Sequence, residues 1–475
     1  MWRNIVRAAA RKLPRFMERF ADCFARPASR GHASTYVAGL LQAEGRKSVE
    51  PIALRFAPQP SAEAVGAKEV LAMQRFLTDS PWDAQDVQWQ IQAVAAEELL
   101  PSAAASPLGV VGVIDESSFE KSGPHSVGVK RQYCGHLGKT DNCQVGVFLV
   151  ATVPAGEALL DHQLYLPKEW IKNRQRRKKT RVPKQVQFQT KPQLAAELIR
   201  RTVANGHVRF DWIVADDHYG ENGGFLDALD SASQRYMVET PVTTTFWIVN
   251  PATQIPSDVG SGRPHTQPSR EYVLSARDII AALPPAVWQP IKLREGAKGP
   301  LVFEYARLRV WAVRHRRPGP AVWLVLQRSV DNAREVKVWV SNADEQTPLD
   351  LLAQAGATRF RVELFFEQGK GELGMGHYEA RAWTSWHHHM ALVGMAHLFA
   401  TLVRQECRAE KEEPTELTLS QSFELIRAAI TRPPQTYDES VHLAEYYIMR
   451  NATATRSHRK TWLQKHKRLA EQLML

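Results

Sequence analysis

Cysteine is scarce in this chain. Four occur in 475 residues, Cys23, Cys134, Cys143 and Cys407, and no two form a C-x-x-C pair. That pattern excludes a zinc ribbon and a disulfide framework, and a reducing cytoplasm is the simpler setting. Cys134, His136 and Cys143 are close in sequence, yet their spacing fits no common metal site and a fourth ligand is missing. Long apolar runs are absent too: none approaches the roughly 20 residues that cross a bilayer, so no membrane partner is expected. The basic, amphipathic start MWRNIVRAAARKLPRFMERF has neither the apolar core nor the cleavage site of a signal peptide. A mitochondrial presequence would share its charge, but acidic residues follow soon and the helical pattern continues, which favours a DNA-facing helix. No G-x-x-x-x-G-K-[ST] sequence occurs, so no nucleotide cofactor is implied. Internal repeats and low-complexity tracts are missing as well.

Positive charge is in surplus, with 61 Lys and Arg against 50 Asp and Glu, a formal +11. Such a balance points to a polyanionic partner, nucleic acid before an anionic membrane surface. With 44% apolar and 23% charged residues, the chain has the composition of a globular protein and the length for several domains.

Residues 1–105 read as helical. Phe16, Phe20 and Phe24 recur at i+4, and YVAGLL, VLAMQRFL and VQWQIQAVAAEELL carry the same period. Short helices with scattered Arg suit a DNA-binding region; a helical cap on the next domain is the alternative. From 106 the texture becomes mixed α/β. The run VVGVI (110–114) is apolar on both faces, as a central strand requires, and leads into Asp115. QVGVFLVATV (144–153) and HQLYL (162–166) follow as strands. A helix over 191–206 closes on Gly206, and FDWIVADDHYG (210–220) repeats the first design, ending in Asp216 and Asp217. Residues 241–345 are β-rich and punctuated by Gly and Pro, an insertion between two parts of one core, 106–240 and 346–400. A long helix returns near 348, and 401–475 is helical.

Three features carry chemistry. Asp115 and Asp216 each end a buried apolar strand; if those strands are neighbours, two carboxylates share one edge of the sheet, best tolerated with cations between them. The helix TRFRVELFFEQGKGELG sets Arg359, Glu363 and Lys370 at i, i+4 and i+11, on one face. The run 172–184 packs eight Lys or Arg into thirteen residues; Arg174, Arg176, Arg177, Lys178, Lys179 and Arg181 are its candidate DNA contacts, with a solvated face as the plain alternative. Oxygen donors without thiolate or imidazole clusters suit Mg²⁺ or Mn²⁺. Two such ions can activate a nucleophile and stabilise the leaving oxygen at phosphorus.

The spacing Arg359, three residues, Glu363, six residues, Lys370 resembles the signature of the DDE superfamily of bacterial insertion-sequence transposases, which have an RNase H-like fold. VIDESSFEKSGPHSVGVKRQYCGHLGKTDNCQVGVFL (113–149) is similar to the stretch around that family's first Asp. VPKQVQFQTKPQLA (182–195) is similar to its linker and helix, VADDHYG (214–220) to its second Asp motif, and LGMGHYEARAWTSWHHHMAL (373–392) to the segment after its Glu. The resemblance implies an RNase H-like mixed-sheet core with a β-rich insertion and helical ends. It implies metal-binding catalytic roles for Asp115, Asp216 and Glu363 with two Mg²⁺, and phosphate contacts for Arg359 and Lys370. It also implies double-stranded DNA as partner (terminal inverted repeats and target), a homodimer on DNA, and a cytoplasmic, nucleoid-associated bacterial protein. One departure stands out: the wider signature has Tyr three residues before the Arg, and here that position is Gly356. A domesticated, non-catalytic DNA-binding protein or a stand-alone nuclease of the same fold would share these motifs.

Each residue has a plainer rival. Asp217 competes with Asp216, although strand alternation sends the two to opposite faces. Glu367 competes with Glu363 one turn on. His387, His388 and His389 invite a metal, but consecutive helical residues diverge, and packing against Trp383 and Trp386 is the better expectation. Trp247, Trp311, Trp323 and Trp339 are candidates to stack on an unpaired base or to fill a core.

Overall fold

The computed structural model describes residues 11–42, 45–56, 67–254, 268, 270–296, 299–332, 334–409, 418–430 and 437–465. The core sheet begins with β1 (Val111–Glu120), β2 (Lys130–Cys134), β3 (Lys139–Val153), β4 (Gly156–Leu164), β5 (Trp212–Ala215) and β6 (Tyr236–Thr240). Strand β3 lies antiparallel between β1 and β4. On the other side of β1, β5 and then β6 run parallel. The order β4-β3-β1-β5-β6 is the RNase H-like arrangement. β5, and β3 from Cys143 onward, are buried because helices cover both faces, which is why they read as unbroken apolar runs.

The β-rich stretch supplies β7 (Thr245–Trp247), β8 (Val273–Ser275), β9 (Gln289–Gly296), β10 (Gly299–Arg314), β11 (Arg317–Ser329) and β12 (Val336–Ser341). Strand β12 pairs antiparallel with β6, so these strands extend the core into one twelve-stranded sheet. The β10–β11 hairpin turns at His315 and Arg316, both at positive φ, as a two-residue turn between twisted strands requires.

Five helices position the rest: α1 (Pro27–Gln42), α2 (Ala84–Glu98), α3 (Lys191–Ala204), α4 (Phe360–Gly371) and α5 (Trp383–Ala409). Thr190 and Gln193 form a capping box at the start of α3, and Gly206, at φ +83°, follows its end. The N-terminal helices pack on α5, which lies on β4. Phe16 meets Phe399 at 5.3 Å, and the Tyr36 hydroxyl sits 2.9 Å from His389 Nδ1. One apolar core therefore runs from Leu13 to Ile426. Among the described residues no helix is long and apolar enough to cross a membrane.

Two local expectations need correction. Asp115 does not end its strand: β1 keeps pairing with β3 as far as Glu120, beyond the point where β5 stops. The helix near 348 is not continuous either. It breaks between Leu349–Ala357 and α4, where the Thr358 hydroxyl donates back to the Gln354 carbonyl at 3.0 Å.

Candidate active site

Ile114 on β1 is opposite Ala215 on β5 in parallel register. Asp115 and Asp216, the next residue on each strand, therefore stand side by side where β5 gives way to the short helix Asp217–Gly220. Helix α4 packs across β1 and brings Glu363 and Lys370 to the same cleft. Asp115, Asp216, Glu363 and Lys370 line this cleft of about 1160 Å³.

Arg359 ties the group together. Its guanidinium donates to Glu363 at 2.7 Å and to Asp115 at 3.4 Å, and stands 3.6 Å from Glu239. The i+4 spacing on the helix makes the first of these contacts possible. Burial works against the guanidinium's charge, and the carboxylates of Asp115, Glu363 and Glu239 more than offset it. Glu367, one turn further, lines the cleft as well, but Glu363 is the one paired with Arg359.

The electrostatics are strained. Burial, with the charge of Asp216 added, pushes the Asp115 carboxyl up to about 7 against the pull of Arg359. Burial, then the charges of Glu116 and Asp217, pushes Asp216 up to about 6. Asp216 Oδ1 is buried without a hydrogen-bond partner, whereas Asp217 is exposed in the first turn of the short helix. Burial also lowers the Lys370 ammonium, which lies 5.6 Å from the Phe119 ring. Two crowded carboxylates and an orphaned buried oxygen are what a hard divalent cation would satisfy. The oxygen donors fit such an ion. They are not gathered into a finished cage: among the described residues no three His, Cys, Asp or Glu form a metal-binding set. Glu363, 47% exposed, is held by Arg359 instead.

The structure adds residues the motifs did not single out. Glu116 also lines the cleft, ion-paired with Lys191 at the start of α3 and 3.4 Å from the Tyr219 hydroxyl. Strand alternation would have sent it away from Asp115, so the sequence carried no signal for it. Lys47, buried, donates to the carbonyls of Leu40 at 2.7 Å and Glu372, joining the ends of α1 and α4. Burial, with Arg427 nearby, lowers its ammonium to about 7. Gly356 packs where a Cβ would lie 3.4 Å from both Met237 and Trp339.

The basic run does not line the cleft. Arg176 stacks on Trp170 at 3.7 Å and donates to the Pro124 carbonyl. Arg177 holds the carbonyls of Pro183, Lys184 and Val186, and Arg181 pairs with Asp79. Arg174, Lys178 and Lys179 remain exposed. The three histidines diverge as expected. His387 packs on Trp383 and Trp386, His388 stacks on Trp82 at 3.5 Å, and His389 meets Tyr36. Cys134 and Cys143 sit with Val145 in a small apolar cluster of their own. Trp247 and Trp339 are core residues, Trp311 is half-buried, and half-buried Trp323 lies under Arg307 at 4.3 Å.

Residues 19–300, more than half of the chain, match the family described as DDE superfamily endonuclease. The chain belongs to that family. The match contains Asp115 and Asp216 and ends before Glu363. The chain is also similar to a probable transposase for insertion sequence element IS701 from Microchaete diplosiphon, 33% identical over 183 residues. That alignment covers 37% of this chain and 42% of the relative. The chain thus spans less than half the length of the curated relative it matches.

Proposed function

We propose that this DDE superfamily endonuclease is the transposase of an insertion sequence, cutting DNA at the element's ends and joining the freed 3′-hydroxyl to a target. The observation that carries the reading is the side-by-side placement of Asp115 and Asp216 on neighbouring parallel strands, with Glu363 facing the same cleft. Asp115, Asp216 and Glu363 would hold two Mg²⁺, for which Mn²⁺ substitutes. Ions bound there would supply Lewis-acid activation of the attacking oxygen and stabilisation of the leaving one. Phosphodiester binding brings negative charge to Lys370, which lines the cleft, and to Arg359, which contacts Asp115 and Glu363 beside it. As Arg359 turns to a phosphate, Glu363 is released from it to join the Asp pair. The exposed Arg174, Lys178 and Lys179 add backbone contacts outside the cleft, while Arg176, Arg177 and Arg181 fix the segment that carries them.

Two DNA ends have to meet for transposition, so a homodimer assembled on DNA is part of this reading, and the terminal inverted repeats are its specific partner. The test is cleavage and joining of the DNA that flanks the coding sequence, in Mg²⁺, by wild type and Glu363→Gln. Wild type is expected to cut and join, with the variant binding but doing neither. Cutting without joining would favour a stand-alone nuclease. Binding by both proteins with no cutting in either metal would favour a domesticated DNA-binding protein.

A further inference from the structure

Beside the carboxylates stands an arm that the proposed function has not used. β2 is an edge strand paired to β3, and Lys130, Arg131 and Tyr133 along it, with His136 and Lys139 at its turn, are exposed. Tyr133 is 66% exposed. Yet Tyr133 and His136 line the same cleft as Asp115, Asp216 and Glu363. The arm is stiff. Cys134, beside the turn, packs with Cys143 and Val145 in an apolar cluster along the arm. Gln132 donates to the Cys143 carbonyl at 2.9 Å, and Trp170 to the Val129 carbonyl at 2.9 Å.

Cations on an edge strand have a plain use, since they discourage pairing with another chain. That accounts for Lys130 and Arg131, while Lys139, across the turn on β3, lies 3.4 Å from Asp141. That use does not account for a tyrosine left two-thirds in water at the mouth of a polar cleft. The tryptophans of the β-rich stretch do not compete for this place, being core residues, half-buried or covered by arginine.

We propose that the β2–β3 hairpin is a DNA-contacting arm of the cleft, with Tyr133 stacking on an unpaired base and Arg131 and Lys139 on that strand's phosphates. This rests on the reading of the chain as a DNA-cutting enzyme. A phenol ring on a rigid strand finds a free base face only where a nucleotide has left its stack, and such stacking tolerates any base. Flanking cations follow the backbone and make the contact sensitive to salt.

The experiment compares binding of a forked DNA with unpaired thymidine flanks against the same sequence fully paired, with Ca²⁺ replacing Mg²⁺. Tyr133→Ala should weaken binding of the fork about 10-fold or more and leave the paired duplex unchanged. Tyr133→Phe should bind both like wild type. Arg131→Ala combined with Lys139→Ala should weaken both and flatten the salt dependence. If Tyr133→Ala binds both DNAs like wild type, or loses both equally, the arm does not stack on an unpaired base. Wild-type cleavage in Mg²⁺, run alongside, distinguishes that failure from failure of the functional reading, which alone predicts cutting.

Discussion

Asp216→Asn is expected to stabilise the metal-free protein at neutral to alkaline pH while lowering the cleavage rate by about 10³ or more. On the proposed reading the loss follows from removing an oxygen donor from a site where bound ions would supply several kcal/mol of charge stabilisation. The gain follows from the environment of Asp216, buried beside Glu116 and Asp217 with Oδ1 unpartnered. Its folded pKa of about 6, and about 7 for Asp115, lie above the ordinary carboxyl value of 3.8. A raised folded pKa means that the native state takes up protons the unfolded chain releases. The resulting stabilisation is fully present below about pH 4 and is lost as pH rises through 6 to 7. The metal-free wild type should therefore unfold at a higher temperature near pH 5.5 than near pH 8, and the asparagine variant should show a smaller difference. Excess Mg²⁺ should raise the wild-type midpoint near pH 8 and leave the variant nearly unchanged. Scanning calorimetry across pH, with and without metal, reads all of these. A wild-type midpoint that falls on acidification toward pH 5.5 would contradict the crowding argument.

The second large effect concerns Arg359. Its guanidinium faces Asp115, Glu239 and Glu363 at once, and Arg359, Asp115 and Glu239 are each less than one-fifth exposed. Arg359→Ala leaves those carboxylates without a shared cation. Breaking a buried pair by removing one partner costs about 3–5 kcal/mol, and the partial exposure of Glu363 places this site at the lower end. Arg359→Lys should lose less, because an ammonium keeps the charge but cannot serve several carboxylates in a fork. Urea unfolding of the metal-free proteins at neutral pH measures the difference. Excess Mg²⁺ should restore part of the stability of Arg359→Ala, since a divalent ion can stand among the same oxygens. Equal stability of Arg359→Ala and wild type would show that the pairing contributes nothing.

The strands that carry Asp115 and lead into Asp216 were legible in the sequence for a physical reason. A strand covered on both faces must be apolar throughout, so an Asp directly after such a run is conspicuous, and Asp115 and Asp216 both stand there. Glu363 was legible through its helical register with Arg359 and Lys370. The sequence did not reveal how far β1 continues, because antiparallel pairing with β3 is a long-range event that local pattern does not record. Glu116 escaped for a related reason: simple alternation puts it on the other face, and only the approach of α3 brings Lys191 to it. The basic run shows the limit of counting charges. Arg176, Arg177 and Arg181 look the same in sequence as Arg174, yet they are engaged by carbonyls, an indole and an aspartate. Side-chain partners of that kind depend on loops returning from elsewhere in the chain.

The central claim is that divalent ions held by Asp115, Asp216 and Glu363 act on the oxygens of the scissile phosphodiester. It is tested most directly with terminal DNA whose 3′ bridging oxygen at the cleavage position is replaced by sulfur. Sulfur is a poor ligand for Mg²⁺ and an acceptable one for Mn²⁺. The wild type should cut the normal DNA in either metal and the sulfur-containing DNA well in Mn²⁺ alone. Cleavage of the sulfur-containing DNA at the same relative rate in both metals would mean that no ion touches the leaving atom, and the account would fail.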